Sequence, residues 1–162
     1  MSGEQSLEAR VGEILKARSM TVTAAESCTG GLILHRLTNI PGSSAYVLGG
    51  FVTYSNETKV KYLGVRQETL DRYGAVSEQT AAEMARGARE ALNVDVALSV
   101  TGIAGPGGGT PTKPVGLTYI GLDASDFRRV VHYVWTGDRE SNKAASADAA
   151  LQLLLDYLTR HG

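Results

Sequence analysis

The sequence predicts a three-layer α/β/α sandwich built around a mixed β-sheet, and three observations carry that expectation. Apolar segments of strand length alternate with segments of helical periodicity along most of the chain. Residues 94–101 form a nearly continuous apolar run, as expected of a central strand covered on both faces. Residues 117–122 and 128–135 read as two strands joined by residues 123–127, a connection that suits a hairpin and therefore adds antiparallel pairing.

The elements follow in order. Leu7, Val11, Ile14 and Leu15 recur at helical spacing and predict an amphipathic helix ending near Ser19. Residues 20–25 are rich in β-branched side chains and predict a strand, followed by a tight turn at 26–31 and a buried helix marked by Leu32, Ile33, Leu34 and Leu37. Pro41 and Gly42 break that pattern. Residues 46–54 read as a second strand and 56–63 as a short helix closed by Gly64. A further turn of helix is expected at 67–73. Ser77 is the predicted cap of a long helix carrying Ala81, Met84, Ala85, Ala88 and Leu92, with Asn93 as its exit. Residues 102–116 contain six glycines and three prolines, a loop long enough to need a function or disorder as its explanation. Asp138 is expected to cap a last helix whose stripe is Ala147, Ala150, Leu151, Leu154, Leu155 and Leu158.

With 162 residues, 43% of them hydrophobic, the chain is the size of one globular domain able to bury a core without staples. Sixteen basic and 17 acidic side chains, in no long run of either sign, argue against a nucleic-acid or membrane surface and favour a small partner. Cys28 is the lone cysteine, and the polar residues 2–5 lack the pattern of a secretory leader, so a cytoplasmic location is expected. No apolar stretch approaches the roughly 18 residues of a membrane span. Apolar faces on the terminal helices lead to the expectation of a homo-oligomer, although the same faces suit a core.

Three segments offer chemistry. Ser27 follows a strand and precedes a glycine-containing helix start, where a hydroxyl is exposed and N–H groups at 29–31 are available to hold an oxyanion. Helix capping by Ser27 or Thr29 is the commoner meaning of such residues. Gly-x-Ser-x-Gly is absent, because Glu26 and Cys28 flank the serine. A base is needed, and His35, His132 and His161 fall in a helix, a hairpin strand and the C-terminal end, without metal-ligand spacing. A lysine base is the remaining variant of the serine constellation, and Lys59 has the most suggestive setting. It is expected in the first turn of a helix capped by Ser55 or Asn56, where the dipole disfavours the ammonium. Bringing a lysine from about 10.4 to near 7 requires about 4 kcal/mol, more than an exposed dipole supplies, so burial or a second cation must contribute. A solvated helix lysine is the competing reading. Tyr54 is a candidate for sharing the proton relay or for packing.

The loop 101–109 suits a phosphate or carboxamide through its glycine N–H groups, or is a plain surface loop; it fails both the P-loop and the Gly-x-Gly-x-x-Gly patterns. Arg139 and Lys143 lie one turn apart on one helix face, placed for a phosphate or for solvent.

Seven motifs occur in fixed order: Glu26-Ser27-Cys28-Thr29-Gly30-Gly31; Pro41-Gly42-Ser43-Ser44; Gly49-Gly50-Phe51-Val52-Thr53-Tyr54-Ser55-Asn56-x-x-Lys59; Gly74-Ala75-Val76-Ser77; Thr101-Gly102-Ile103-Ala104-Gly105-Pro106; Lys113-Pro114-Val115-Gly116; and Gly137-Asp138-Arg139. Over residues 20–155 the chain resembles the C-terminal domain of the CinA competence/damage-inducible proteins, a family that includes stand-alone nicotinamide-nucleotide amidases. The resemblance implies hydrolysis of nicotinamide mononucleotide to nicotinic acid mononucleotide and ammonia, without a cofactor or metal. It implies Ser27 as nucleophile, Lys59 as base and Tyr54 as the residue assisting them. Ser44, Thr101 and Arg139 fall at positions associated with substrate, with Thr29, Gly30, Gly102 and Ala104 as neighbours. The family also allows an inactive nucleotide-binding module, or a partner protein in competence or DNA damage. Lys143 stands where many members carry arginine, which keeps the charge but loses the planar fork. Thr112 stands where an acidic residue is common. Longer members carry an added N-terminal nucleotide-pyrophosphatase-like domain, and with about 20 residues before the first motif strand that reaction is not expected here.

Overall fold

The computed structural model describes residues 3–160, so His161 lies outside the described residues. The chain folds as α1 (Leu7–Ala17), β1 (Val22–Glu26), α2 (Leu32–Thr38), a 3-10 turn (Ser43–Ala45), β2 (Phe51–Val52) and α3 (Asn56–Leu63). It continues through α4 (Gln67–Tyr73), α5 (Glu78–Leu92), β3 (Val96–Gly102), β4 (Leu117–Ala124), β5 (Arg128–Val134) and α6 (Arg139–Arg160). The sheet order is β2-β1-β3-β4-β5, with β1 parallel to β2 and β3, and with β3–β4 and β4–β5 antiparallel. Helices α1, α2 and α6 pack together on one face, and α3 and α4 pack on α5 on the other. The expected three-layer α/β/α sandwich with a mixed sheet is therefore observed.

Local chemistry explains the boundaries. Ser6 Oγ accepts from Ala9 N at the start of α1, Ser55 Oγ from Thr58 N at α3, and Ser77 Oγ from Thr80 N at α5. Asp138 Oδ1 accepts from Ser141 N at the start of α6. Asn93 leaves α5 in the left-handed region at φ 51°, a conformation asparagine tolerates better than most residues. As expected, β3 is central and its first six residues are buried.

The second strand is shorter than the expected 46–54. Only Phe51–Val52 pairs with β1, beside an isolated bridge from Val47 to Val22. Gly49 and Gly50 interrupt the ladder: Thr23 Oγ1 donates to Gly49 O at 2.8 Å, and Gly50 lies so close to Leu34 that an added Cβ would come within 2.2 Å of its Cδ1. The apolar run thus bends onto α2.

The larger core lies beneath α1, α2 and α6, and the α6 stripe from Ala147 to Leu158 is buried in it. Those faces, on which the expectation of an oligomer rests, are used within the chain. Among the described residues no helix is long and apolar enough to cross a membrane. Arg36 of α2 ties the three helices together, donating to Glu8 of α1 through Nε (2.6 Å) and Nη2 (3.0 Å) and to Asp148 of α6 through Nη1 (2.5 Å). The guanidinium holds the Glu8 carboxyl down at about 2.

On the opposite face α3 approaches α5 through Gly87, where a Cβ would meet Leu63 O at 1.8 Å. The obstacle is backbone, so neither a rotamer change nor a flexible side chain relieves it. Gly87→Ala is expected to destabilise the fold at the upper end of the roughly 1–3 kcal/mol typical of overpacking, measured by denaturant unfolding. Glu8 is deprotonated more readily folded than unfolded, so its contribution is present above about pH 4.5 and is lost as pH falls toward about 2. Glu8→Gln should lower stability at neutral pH and flatten its fall across that window in acid titrations followed by circular dichroism.

Candidate active site

Ser27 stands one residue past the end of β1. Its N–H donates to Val100 O at 3.0 Å, which extends the parallel ladder to Ser27 itself. Preceding it, Glu26 is fully buried, an unusual place for a carboxylate unless donors surround it. They do. Oε1 accepts from Thr29 Oγ1 at 2.7 Å, Gly31 N at 3.2 Å and Ile33 N at 2.9 Å, and Oε2 accepts from Leu34 N at 3.0 Å. Glu26, rather than Ser27 or Thr29, thus satisfies the first N–H groups of α2. The Ser27 hydroxyl is left for other work.

This arrangement corrects the expected oxyanion donors. Gly30 N bonds Ser27 O and Gly31 N bonds Glu26, so neither is available to a ligand. Within the turn, the N–H groups of Cys28 and Thr29 are the ones not engaged by neighbouring carbonyl or carboxylate oxygens.

Lys59, in the first turn of α3, turns inward and is 1% exposed. Its Nζ lies 3.0 Å from Ser27 Oγ, 2.7 Å from Thr53 O and 3.4 Å from Tyr54 O. The Thr53 carbonyl is held in turn, because Thr53 N donates to Glu26 O at 2.8 Å. Burial pushes the lysine down from its ordinary value to about 8. Desolvation is the dominant cause, which supplies the burial that the sequence reading required in addition to the helix dipole. Cys28, beside the serine and 7% exposed, is pushed the other way, to about 11, chiefly by burial. It is therefore a protonated thiol at neutral pH and a poor nucleophile.

Ser27 and Lys59 open onto a cleft of about 280 Å³, near the lower end of small-ligand pockets. Tyr54, Thr101, Gly102, Ala104 and Arg139 line it with them. Thr101 contributes its surface while its hydroxyl bonds Ala75 O at 2.8 Å. Tyr54 is 63% exposed, and its hydroxyl accepts from Arg139 Nη2 at 2.9 Å; it is the Tyr54 backbone carbonyl that faces Lys59. Arg139 also donates through Nη1 to Gly105 O at 2.9 Å, so it bridges the two lips of the cleft. The glycine-rich segment forms one wall through residues 102–105, 107 and 108.

Other expected site residues lie elsewhere. Thr29 is buried against Glu26, Gly30 faces the Lys143 ammonium, and Ser44 is exposed on the 3-10 turn; none of the three lines the cleft. His35 and His132 are exposed away from it, and among the described residues no group of three His, Cys, Asp or Glu side chains is placed to hold a metal ion. Residues not singled out from the sequence also matter here. Glu26 and Asn142 position the two walls, and Asn56, Ala75 and Val76 line the space. A lone acid ending an otherwise uncharged strand was the available signal for Glu26.

Known proteins bear on this geometry. The CinA C-terminal domain family matches residues 4–158. A CinA-like protein of Chloroherpeton thalassium is 53% identical over 161 residues, covering 96% of this chain and 38% of its own length. The chain thus spans little more than a third of such curated relatives. Among solved structures, the competence/damage inducible protein CihA of Agrobacterium tumefaciens is 42% identical with a TM-score of 0.88, covering 99% of this chain and 100% of its own. The competence damage-inducible protein A of Klebsiella pneumoniae is 35% identical with a TM-score of 0.93, covering 96% and 97%. Sequence and fold agree over nearly all of the 162 residues, and the chain belongs to the CinA C-terminal domain family.

Proposed function

We propose that this cleft hydrolyses the carboxamide of nicotinamide mononucleotide through an acyl-enzyme on Ser27, with Lys59 as the base. The observation that carries the reading is the buried Nζ of Lys59 at 3.0 Å from Ser27 Oγ. A neutral amine has two N–H donors and one lone pair. Thr53 O and Tyr54 O accept the two donors, which aims the lone pair at the Ser27 hydroxyl proton. The Thr53 and Tyr54 carbonyls therefore favour the orientation a base requires.

In the proposed sequence Ser27 Oγ attacks the amide carbon as its proton passes to Lys59, and the N–H group of Cys28, which lines the cleft, steadies the oxyanion. The Lys59 ammonium then returns the proton to the amide nitrogen as the C–N bond breaks and ammonia leaves. Water enters, gives its proton to the same neutral lysine and attacks the acyl carbon, and Ser27 departs with a proton from Lys59. No cofactor takes part. The glycine-rich wall and Arg139 hold the nucleotide portion and so orient the amide. The family's resemblance to nucleotide amidases supports the substrate. Relatives named for competence and damage support a second reading, a protein-contact role. A buried serine-lysine pair has no purpose in that reading, so turnover separates the two.

Ser27→Ala and Lys59→Ala are each expected to lower kcat/KM for ammonia release from the mononucleotide by about 10³-fold or more, with chelator leaving the wild type unaffected. Lys59→Arg should not rescue, since a guanidinium stays charged. Cys28→Ala should retain acylation, and full turnover by Ser27→Ala would sink the mechanism. Because Lys59 acts neutral and burial holds it at about 8, kcat/KM should level off above that pH and fall about tenfold per unit below it. A pH-rate profile with its acid limb near the ordinary lysine value would contradict the assignment.

A further inference from the structure

Segment 104–109 combines four glycines with one proline, so it has few side chains of its own with which to hold a shape. Its neighbours are tied down: Ile103 exchanges backbone bonds with Gly116 and Leu117, Thr110 bonds Lys113, and Lys113 Nζ donates to Tyr73 O. Between them, among the described residues, 104–109 takes part in two hydrogen bonds, both from the first turns of α6. Arg139 Nη1 reaches Gly105 O, and Asn142 Nδ2 reaches Ala104 O at 3.0 Å. Asn142 is 3% exposed and does not line the cleft, and its Oδ1 accepts from Gly137 N at 3.0 Å. One buried amide therefore joins the α6 entry to the wall from behind.

We propose that Asn142 is a positioning residue: by fixing the Ala104 carbonyl it sets the glycine-rich wall of the cleft, and through the wall it controls substrate affinity and not the reactivity of Ser27. The effect on substrate affinity alone rests on the hydrolase reading of the cleft. Ser27 follows the end of β1 and Lys59 belongs to α3, and their mutual hydrogen bond contains no group from α6 or the loop. Loss of the Asn142 amide leaves that pair in place. It frees the wall on which the non-reacting part of a substrate rests, and such a loss of uniform binding is read in KM.

Asn142→Ser removes the amide, and the isosteric Asn142→Asp turns a carboxylate toward the Ala104 carbonyl at pH 8 to 9. Ser146→Ala is the comparison, because Ser146 Oγ donates to Asn142 O and accepts from Trp135 Nε1 but has no bond to the loop. Two readings are taken on the full chain alongside Tm: nicking by proteinase K within 103–112, located by mass spectrometry, and kcat and KM for nicotinamide mononucleotide. Both Asn142 variants should be nicked roughly tenfold faster than wild type and Ser146→Ala, and should raise KM by a similar factor with kcat within about threefold, the scale of one lost buried hydrogen bond. Nicking at the wild-type rate overturns the proposal. So does a fall in kcat at unchanged KM, or a Ser146→Ala protein that matches Asn142→Ser in both readings for the same loss of Tm. If Asn142→Ser does not fold, Asn142→Asp carries the same comparison. If the wild type releases no ammonia from the mononucleotide, that substrate reading fails by itself, and the nicking rates still decide whether Asn142 anchors the wall.

Discussion

The cleft depends on one buried carboxylate. An ionised side chain at the end of β1 costs several kcal/mol to desolvate unless strong donors replace the water. Glu26 finds four donors, three of them from the backbone at 31, 33 and 34. Charge-assisted bonds of this kind are about twice as strong as neutral ones. They also fix where α2 begins relative to β1, and hence the path of the turn between. The Glu26 backbone carbonyl secures Thr53, whose own carbonyl orients Lys59. A single residue thus steadies both partners of the serine-lysine pair without bonding to Ser27 Oγ or Lys59 Nζ.

The lysine obeys a complementary constraint. Its aliphatic stem suits a buried position, whereas its charge does not, and the balance brings it to about 8. Burial requires α3 to sit close to the rest of the domain, which the bare backbone of Gly87 permits. The lysine's lowered pKa is therefore linked to helix packing on the side of the sheet opposite the larger core.

Much of this was legible in the sequence, and for physical reasons. The continuous apolar run of β3 and the stripe of α6 are long periodic signals that tertiary context does not override, and Ser77, Asn93 and Asp138 mark helix ends by side-chain chemistry that acts locally. The second strand was less legible, because Gly50 responds to Leu34 and Gly49 to Thr23, neighbours in space and not in sequence. The same limit applies to the oxyanion donors. Glycines at 30 and 31 look available until Glu26 and Ser27 O occupy them. Motif resemblance brought Ser27, Lys59, Thr101 and Arg139 to one cleft, while Ser44, associated by motif alone, sits outside its lining. The direction of the Tyr54 hydroxyl depends on Arg139, 85 residues later, which no local pattern encodes.

The order β2-β1-β3 has a consequence beyond strand pairing. The chain leaves β1 through α2 on one face to reach β2, and returns through α3, α4 and α5 on the other face to reach β3. At the carboxyl end of β1 the two crossovers diverge, and a gap opens where neither covers the sheet edge. This is a topological switch point, the place where open α/β sheets hold their ligands. The crevice above Ser27 therefore takes its place from the chain's route, and side chains give it its shape. Substitutions along the walls can retune what enters, while the place of the crevice is set by connectivity.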